Sequence, residues 1–394
     1  MTALRIEQVG APGGGPEGKV AFHALPARLG TLGWTVPLGW EEARLFDPGF
    51  NGFLATHRIA RFLAWRDGRA IGRIAACVPE DSAAAASFGF LCVERDAAAV
   101  AALLDAAHSW IMAAGRTEAL GPLSFTINHE VGAQVGAFDR APMLRMPRTP
   151  PWLPEMLEAA GLRRAKDVIA CTVDLATEAH RARFAAIAAR RPAEMARLCI
   201  RPMAKLDHAA EVRRIAALFD DAWAENWGAV RIGPAEVKTL SRLLRPLLLT
   251  GQVFFAEWDG TPVGLLSIVP NIQPALPANG RLAPWGWPRL ALALAGRIPA
   301  SADAARIPMI GITRAFRRHP ASALAMGALL SAGFDHAERR GWQRVEISWI
   351  LDDNAPMRNA MARLPAPETG RWRLWRMGTG PLPDRPEPGG PRSG

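Results

Sequence analysis

The strongest constraint on this chain is that it repeats itself at matched spacing. WRDGRAIGRIAACVP (65–79) and EWDGTPVGLLSIVP (257–270) each read as an apolar strand, an Asp-Gly turn and a second apolar strand holding a Gly. Asp-Gly supplies the positive φ values of a tight turn, so each stretch is predicted to be a β-hairpin. Further along each half comes an Ala/Leu-rich helical run, then a Gly, a strand and an Asn. The interval from Gly to Asn is thirteen positions both times, Gly115 to Asn128 and Gly341 to Asn354. A helix-ending Gly or a hairpin is common alone. The two in the same order at the same interval indicate a tandem duplication.

The second half reads almost completely. A strand at 197–207 is followed by helices at 208–228 and 234–249, the hairpin at 252–270, a Pro/Trp/Leu-rich insertion at 271–305, a strand at 305–316, a helix at 321–341 and a strand at 343–351. That order implies an α/β fold, a mixed α+β sheet with helices on both faces, built as two related halves. The halves are placed at 18–185 and 194–378. The Pro/Gly-rich ends, 1–17 and 379–394, are expected to be disordered.

With 394 residues, 49% of them hydrophobic, the chain is long enough for more than one core. Its formal charge is +10, and only four of the 47 basic residues are Lys. Arg favours planar, bidentate contact with phosphate or carboxylate, so an anionic ligand or surface fits; the codon bias of a high-GC genome accounts for the same excess. The four cysteines, Cys77, Cys92, Cys171 and Cys199, show no metal-ligand or CxxC spacing, so reduced core residues and no metal are expected. No signal peptide and no run of about 18 apolar residues is present, which points to a cytoplasmic protein.

VEISWILDDNAPMRNAMARL (345–364) runs a core strand into two acids, an Asn and a Pro, then at once into a helix. Together with a strand entering an Arg-rich turn, it resembles the GNAT acyltransferase superfamily, in which two central strands splay apart to admit a thioester carrier. FDPGFNGFL (46–54), RDGRAIGRIAA (66–76), GPLSFTINHEVGAQVGAFD (121–139), AWAENWG (222–228), GRLAPWGWPRL (280–290) and SWILDDNAPM (348–357) extend the likeness to a tandem group that includes bacterial ceramide synthases.

The resemblance implies a tandem GNAT-like fold whose second half binds acyl-CoA as co-substrate. FRRHPASA (316–323) stands in the diphosphate-binding turn, which presents bare N–H groups at a helix N-terminus. Arg317 fits its first position, Pro320 stands where a Gly is expected and Ser322 where a second small residue is, with Arg318 and Ala323 beside them. A solvated helix start is the plainer reading of the three arginines. Backbone N–H groups at Ile310, Gly311 and Ile312 would polarise the thioester carbonyl, and Asn354 matches an Asn that holds carrier or substrate. Trp223, Glu225, Asn226 and Trp227 stand where the acceptor pocket is shaped. The superfamily's general-acid Tyr has no counterpart, because the chain has no Tyr.

Glu346 is either a cleft carboxylate serving as base or half of an ion pair. Asp352 and Asp353 read as helix caps. In the first half, His129 and Glu130 beside Asn128 offer acid/base chemistry near neutral pH, or form a polar loop. FLCVERDAAAV (90–100) would repel a diphosphate, so the first half is expected to shape the acceptor site and not to bind acyl-CoA. The apolar stretch 282–300, with Trp285 and Trp287 between Arg281 and Arg297, suits a membrane interface or a buried cover on the cleft. The resemblance thus implies transfer of a long acyl chain from acyl-CoA or acyl carrier protein to the amine of a sphingoid-type base; the Trp-bearing stretch and the basic surface point to peripheral contact at the inner face of an anionic membrane, and no nucleic-acid partner is expected. A tandem-GNAT aminoacyl transferase using charged tRNA and a non-catalytic acyl-CoA-binding protein are the alternatives.

Overall fold

Thirteen strands form a single sheet in the computed structural model, which describes residues 3–11, 16–81, 84–176, 182, 185, 186, 189, 191–281, 286–295, 297 and 303–378. They are β1 (Arg5–Gln8), β2 (His57–Arg66), β3 (Arg69–Pro79), β4 (Ala86–Val93), β5 (Glu118–Gly121), β6 (Ala133–Gly136), β7 (Arg163–Asp174), β8 (Leu198–Pro202), β9 (Gln252–Trp258), β10 (Thr261–Pro270), β11 (Ala304–Ile312), β12 (Arg344–Leu351) and β13 (Glu368–Gly378). Both Asp-Gly dipeptides form tight turns: Asp67 and Gly68 sit at φ 54° and 73°, Asp259 and Gly260 at 48° and 78°. They join β2 to β3 and β9 to β10 in antiparallel register.

The duplication is visible in the packing. In the first half the helix Ala97–Ala113 buries Val100, Leu103, Leu104 and Ile111 on one face of the sheet. In the second, the helix Ser322–Arg339 buries Leu324, Leu329, Leu330 and Phe334. Each fully buried side chain of this size stabilises by about 1.5–3 kcal/mol. The helix His208–Ala222 covers β10 and β11 with Val212, Ile215 and Leu218. The second half has its expected elements in order, but the first strand ends at Pro202, its first helix at Ala222 and the strand after the insertion at Ile312, each four to six residues before the expected end.

The sheet order is β1-β2-β3-β4-β5-β13-β7-β12-β11-β10-β9-β8. The halves have therefore exchanged their last strands. β7 of the first half pairs with β12, and β13 of the second lies between β5 and β7. Trp375 and Met377 of β13 belong to the first half's core, while Ile169, Cys171 and Val173 of β7 belong to the second's. The two segments placed at 18–185 and 194–378 are thus interlocked in one sheet.

Three expectations change. Residues 5–8, placed in a disordered end, form the edge strand β1, paired from Arg5 opposite Trp65 to Gln8 opposite Phe62, and the first helix already begins at Pro16. Cys77, Cys92 and Cys171 are buried free thiols as expected, but Cys199 is exposed on β8 near the sheet edge. Asp352 and Asp353 do not cap: they pair with Arg164 and Lys166 at 3.0 and 2.8 Å, and Asn354 caps the helix Ala355–Arg363 by accepting from Met357 N at 3.2 Å. The tail 379–394 and Trp285 lie outside the described residues.

Candidate active site

The second half has an opening between its central strands. β11 and β12 run parallel and paired from Ala304 opposite Arg344 to Ile307 opposite Ile347. Pro308 comes next, with no N–H to continue a ladder. From there β11 follows β10 as far as Ile312, while β12 stays with β7, with which it pairs from Arg344 to Ile347 and again, after a register shift, at Ile350 and Leu351. In the first half β4 and β5 part after Ser87 and Leu120. There the gap is filled: Leu123 N donates to Phe88 O at 2.8 Å, and a Cβ at Gly89 would lie 1.7 Å from Leu123 O.

A cavity of about 880 Å³ lies where the opening meets the first half. Pro308, Met309 and Trp349 line it from the splayed strands, and Leu243, Leu247, Leu276, Leu290 and Leu294 give it a long apolar wall. Its polar part is built from both halves by His129, Glu130, Arg145 and Arg306. The size and the mostly apolar lining with a few convergent polar groups are those of a small-molecule site.

Arg306 ties this part together. It is 6% exposed, and its Nε donates to Ser348 Oγ at 2.8 Å, one terminal nitrogen to Leu144 O at 2.8 Å and the other to Ser348 O at 3.1 Å. Burial lowers its pKa to about 10, so it remains charged at neutral pH. Glu346, opposite it on β12, is buried and accepts from Ser348 Oγ at 2.6 Å. Burial raises its pKa, and the Ser348 hydroxyl and the nearby Arg306 charge pull the other way. Glu346 does not line the cavity; it holds Ser348, which holds Arg306.

Glu130 is different. Among the described residues its carboxyl has no side-chain hydrogen bond, and it stands in the field of Arg145 and Arg306. Burial raises its pKa first, and those two guanidinium groups offset part of that rise. Arg145 is itself ion-paired with Glu41. Behind them, Arg73 and Glu42, 4% and 5% exposed, form a two-pronged pair at 2.7 and 2.8 Å, and His23 Nδ1 lies 2.8 Å from Glu42.

Of the residues singled out in the sequence, Asn128, His129, Glu130, Trp223, Asn226 and Trp227 line this one cavity. Asn128 Nδ2 donates to Val230 O at 2.8 Å and so links the halves. Trp223 stacks on Phe219 at 4.7 Å and lies against Gly311, where a Cβ would come within 2.6 Å of the indole. Ile310, Gly311 and Ile312 run along the opening without lining the cavity, and Asn354 and Glu225 also lie outside it.

The Arg-rich turn is closed on itself. Arg317 N donates to Thr313 O, Arg318 N and His319 N to Phe316 O, Ala321 N to His319 Nδ1 and Ser322 N to His319 O, and Pro320 has no N–H. The amides expected to face a diphosphate are thus occupied up to Ser322, and bare donors begin at Ala323, in the first turn of Ser322–Arg339. The Arg317 guanidinium reaches the Ala222 and Ile312 carbonyls and lies 3.7 Å from Glu225. Arg314 holds Asp221, and Arg318 is exposed.

Arg306, Arg145, Glu42, Arg73 and Glu236 were not singled out in the sequence. Each sits in an otherwise ordinary strand, loop or helix; Arg306 and Glu236 matter because they are buried against the other half, and Glu42 and Arg73 because they are buried against each other. Among the described residues no group of three or more His, Cys, Asp and Glu is arranged to hold a metal ion, and no helix is long and apolar enough to cross a membrane.

The chain matches no family model. It is 32% identical to the bacterial ceramide synthase of Caulobacter vibrioides over 347 residues, 85% of this chain and 88% of that one. It is 27% identical to Protein YghO of Escherichia coli over 372 residues, 90% and 91% of the two chains. Among solved structures, a tandem GNAT protein from the clavulanic acid biosynthesis pathway superposes with a TM-score of 0.54 at 16% identity, covering 96% of this chain and 99% of that one. A probable N-acyltransferase from Enterococcus faecalis gives 0.53 at 10% identity, over 96% and 73%. The structural neighbours establish the tandem GNAT fold and the sequence relative establishes the kinship: the chain is an N-acyltransferase that belongs to the bacterial ceramide synthase family.

Proposed function

We propose that the enzyme moves a long acyl chain from acyl-CoA to the primary amine of a sphingoid-type base. The observation that carries this reading is that in one cavity the Glu130 carboxyl, with no side-chain hydrogen bond among the described residues, stands near the opening between β11 and β12 while a long leucine wall runs away from it. An ammonium group is matched by Glu130, and the hydrocarbon tails by the wall. The thioester enters between the splayed strands, where N–H groups along 310–312 face its carbonyl. The CoA diphosphate is assigned to the start of Ser322–Arg339, with Ala323 N–H and the Arg318 side chain as donors and Arg317 bracing the turn. Glu130 orients the amine, which attacks the carbonyl carbon and expels the thiolate. A thiol of pKa about 8.5 leaves without a strong acid, consistent with the missing Tyr.

The test is thiol release from long-chain acyl-CoA in mild detergent, with and without a sphingoid base, with mass spectrometry of the extracted lipid. Amine-dependent release with an N-acyl product is expected, with Glu130→Gln lowering kcat/KM roughly a hundred-fold or more and Asn354→Ala, a cap change costing about 1 kcal/mol of stability, leaving it near wild type. Acyl carrier protein as the only working donor would correct the donor. No amine-dependent release from either would overturn the reading.

Exposed Trp40 and Trp287, 5.6 Å apart, line the cavity rim, with exposed Leu292 on the helix Gly286–Leu294 beside them. This rim is assigned as the peripheral contact with an anionic bilayer, through which the lipid amine enters. The protein should co-sediment with anionic vesicles, and Trp287→Ser should weaken that several-fold; equal sedimentation of the variant would refute the assignment.

A further inference from the structure

Glu236 opens the helix Pro234–Leu247 and is 6% exposed. Of the most deeply buried carboxylates among the described residues, Glu42 is matched by Arg73, Asp167 by Arg373 and Glu211 by Arg201, while Glu346 has the Ser348 hydroxyl and lies near Arg306. Among the described residues Glu236 has no Arg or Lys beside it and accepts only from the Gly233 N–H. Its Oε1 is buried without a hydrogen-bond partner and faces Nε2 of His129 at 3.9 Å. His129 comes from the other half and lines the cavity, next in sequence to Glu130. Its Nδ1 is held by Thr126 Oγ1 at 3.1 Å and its ring by the edges of Phe53 and Phe125, 5.6 and 5.5 Å away.

A carboxylate buried only for structure would be expected to have a cation close by, as Glu42, Asp167 and Glu211 have in their Arg partners and Glu346 in Arg306. One left open toward a cavity-lining imidazole can accept and return a proton. We propose that Glu236 stores, through His129, the proton that the acceptor ammonium must lose before it can attack; this rests on the reading of the cavity as the site of N-acylation. At 3.9 Å the transfer needs a small ring rotation or one intervening water, which substrate binding commonly supplies.

The protons balance as follows. The ammonium gives one proton to His129, which passes it to Glu236, turning the carboxylate into the acid. The free amine attacks the thioester carbon, the C–N bond forms and the C–S bond breaks. The nitrogen's second proton goes to the departing thiolate, and Glu236 then returns its proton to water. The surroundings suit both roles. Burial raises the Glu236 carboxyl to about 7, with the Gly233 N–H lowering it and Asp220 raising it. Burial, then the Arg145 and His57 charges, hold the His129 imidazole down to about 3, so it passes a proton on and does not keep it.

Two readouts test this on the full-length protein. Infrared difference spectra between pH 6 and 8 should show a protonated carboxyl titrating near 7 that is missing in Glu236→Gln, and this needs no turnover. In amine acylation, Glu236→Gln and His129→Gln should each remove the acid limb of the kcat/KM profile near that pH and lower kcat roughly a hundred-fold or more, with Glu236→Asp partly restoring both. A folded Glu236→Gln that keeps the rate and the limb would overturn the proposal, as would absence of the carboxyl band in wild type. If no donor or amine turns over but the band is present, the acylation reading fails while the proton-holding pair stands.

Discussion

Replacing Arg306 by Met is expected to lower the free energy of unfolding by about 3–5 kcal/mol, the range for removing one member of a buried charged network. The side chain is 6% exposed and reaches the Leu144 carbonyl, the Ser348 hydroxyl and the Ser348 carbonyl at once. Met fills much of the volume but leaves those acceptors without donors and the buried Glu346 without a neighbouring positive charge. Arg306→Lys should recover part of the loss, since an ammonium keeps the charge but lacks the planar fork. Urea unfolding gives the comparison. Because Leu144 lies on the loop that carries Arg145, the Met variant should also raise KM for the amine; an unchanged midpoint with unchanged kinetics would show that the network holds nothing.

Glu42→Ala should be comparably damaging, about 3–5 kcal/mol, because it strands Arg73 in the core. The double change Glu42→Leu with Arg73→Met should recover much of that, since no charge is then left unpaired. The pair also sets a pH dependence. Burial pushes the Glu42 carboxyl up, but Arg73 and His23 outweigh it and bring it from 4.5 down to about 2. A folded-state pKa below the unfolded one gives stability that is present above about pH 4.5 and lost as pH falls toward 2, worth about 3 kcal/mol for a shift of this size. Unfolding midpoints of wild type should therefore fall steeply across that window, and those of the double variant should fall less.

The hairpins and the helices that pack on them were legible because their signals are local. Asp67-Gly68 and Asp259-Gly260 need positive φ wherever they occur, and the runs before Gly115 and Gly341 keep helical spacing whatever their partners. β13 carries no such signal: RWRLWRMG alternates like any amphipathic strand, and its neighbours Cys171 to Arg163 lie some two hundred residues earlier. The site divides the same way. His129, Glu130 and Asn128 stood out because a His-Glu pair beside a repeated Asn is unusual in sequence. Arg306 and Glu236 did not, because a single charge in a strand or at a helix start is ordinary. Only burial against the other half gives them their roles, and burial across a duplication is a property of pairing, which spacing within one half does not encode.

The exchanged strands bear on how the chain is made. β13 is synthesised after every other described strand, yet it sits in the middle of the sheet, between β5 and β7. Until it emerges from the ribosome, the earlier half keeps an open edge along β5 and lacks the Trp375 that its core requires. Unpaired edges of this kind invite pairing with other chains, and pairing across such long stretches of sequence is slow. The nascent chain is thus expected to carry that open edge until its last strand is made. A chain cut between the halves would not give two working pieces; it would give two fragments, each holding the strand that completes the other.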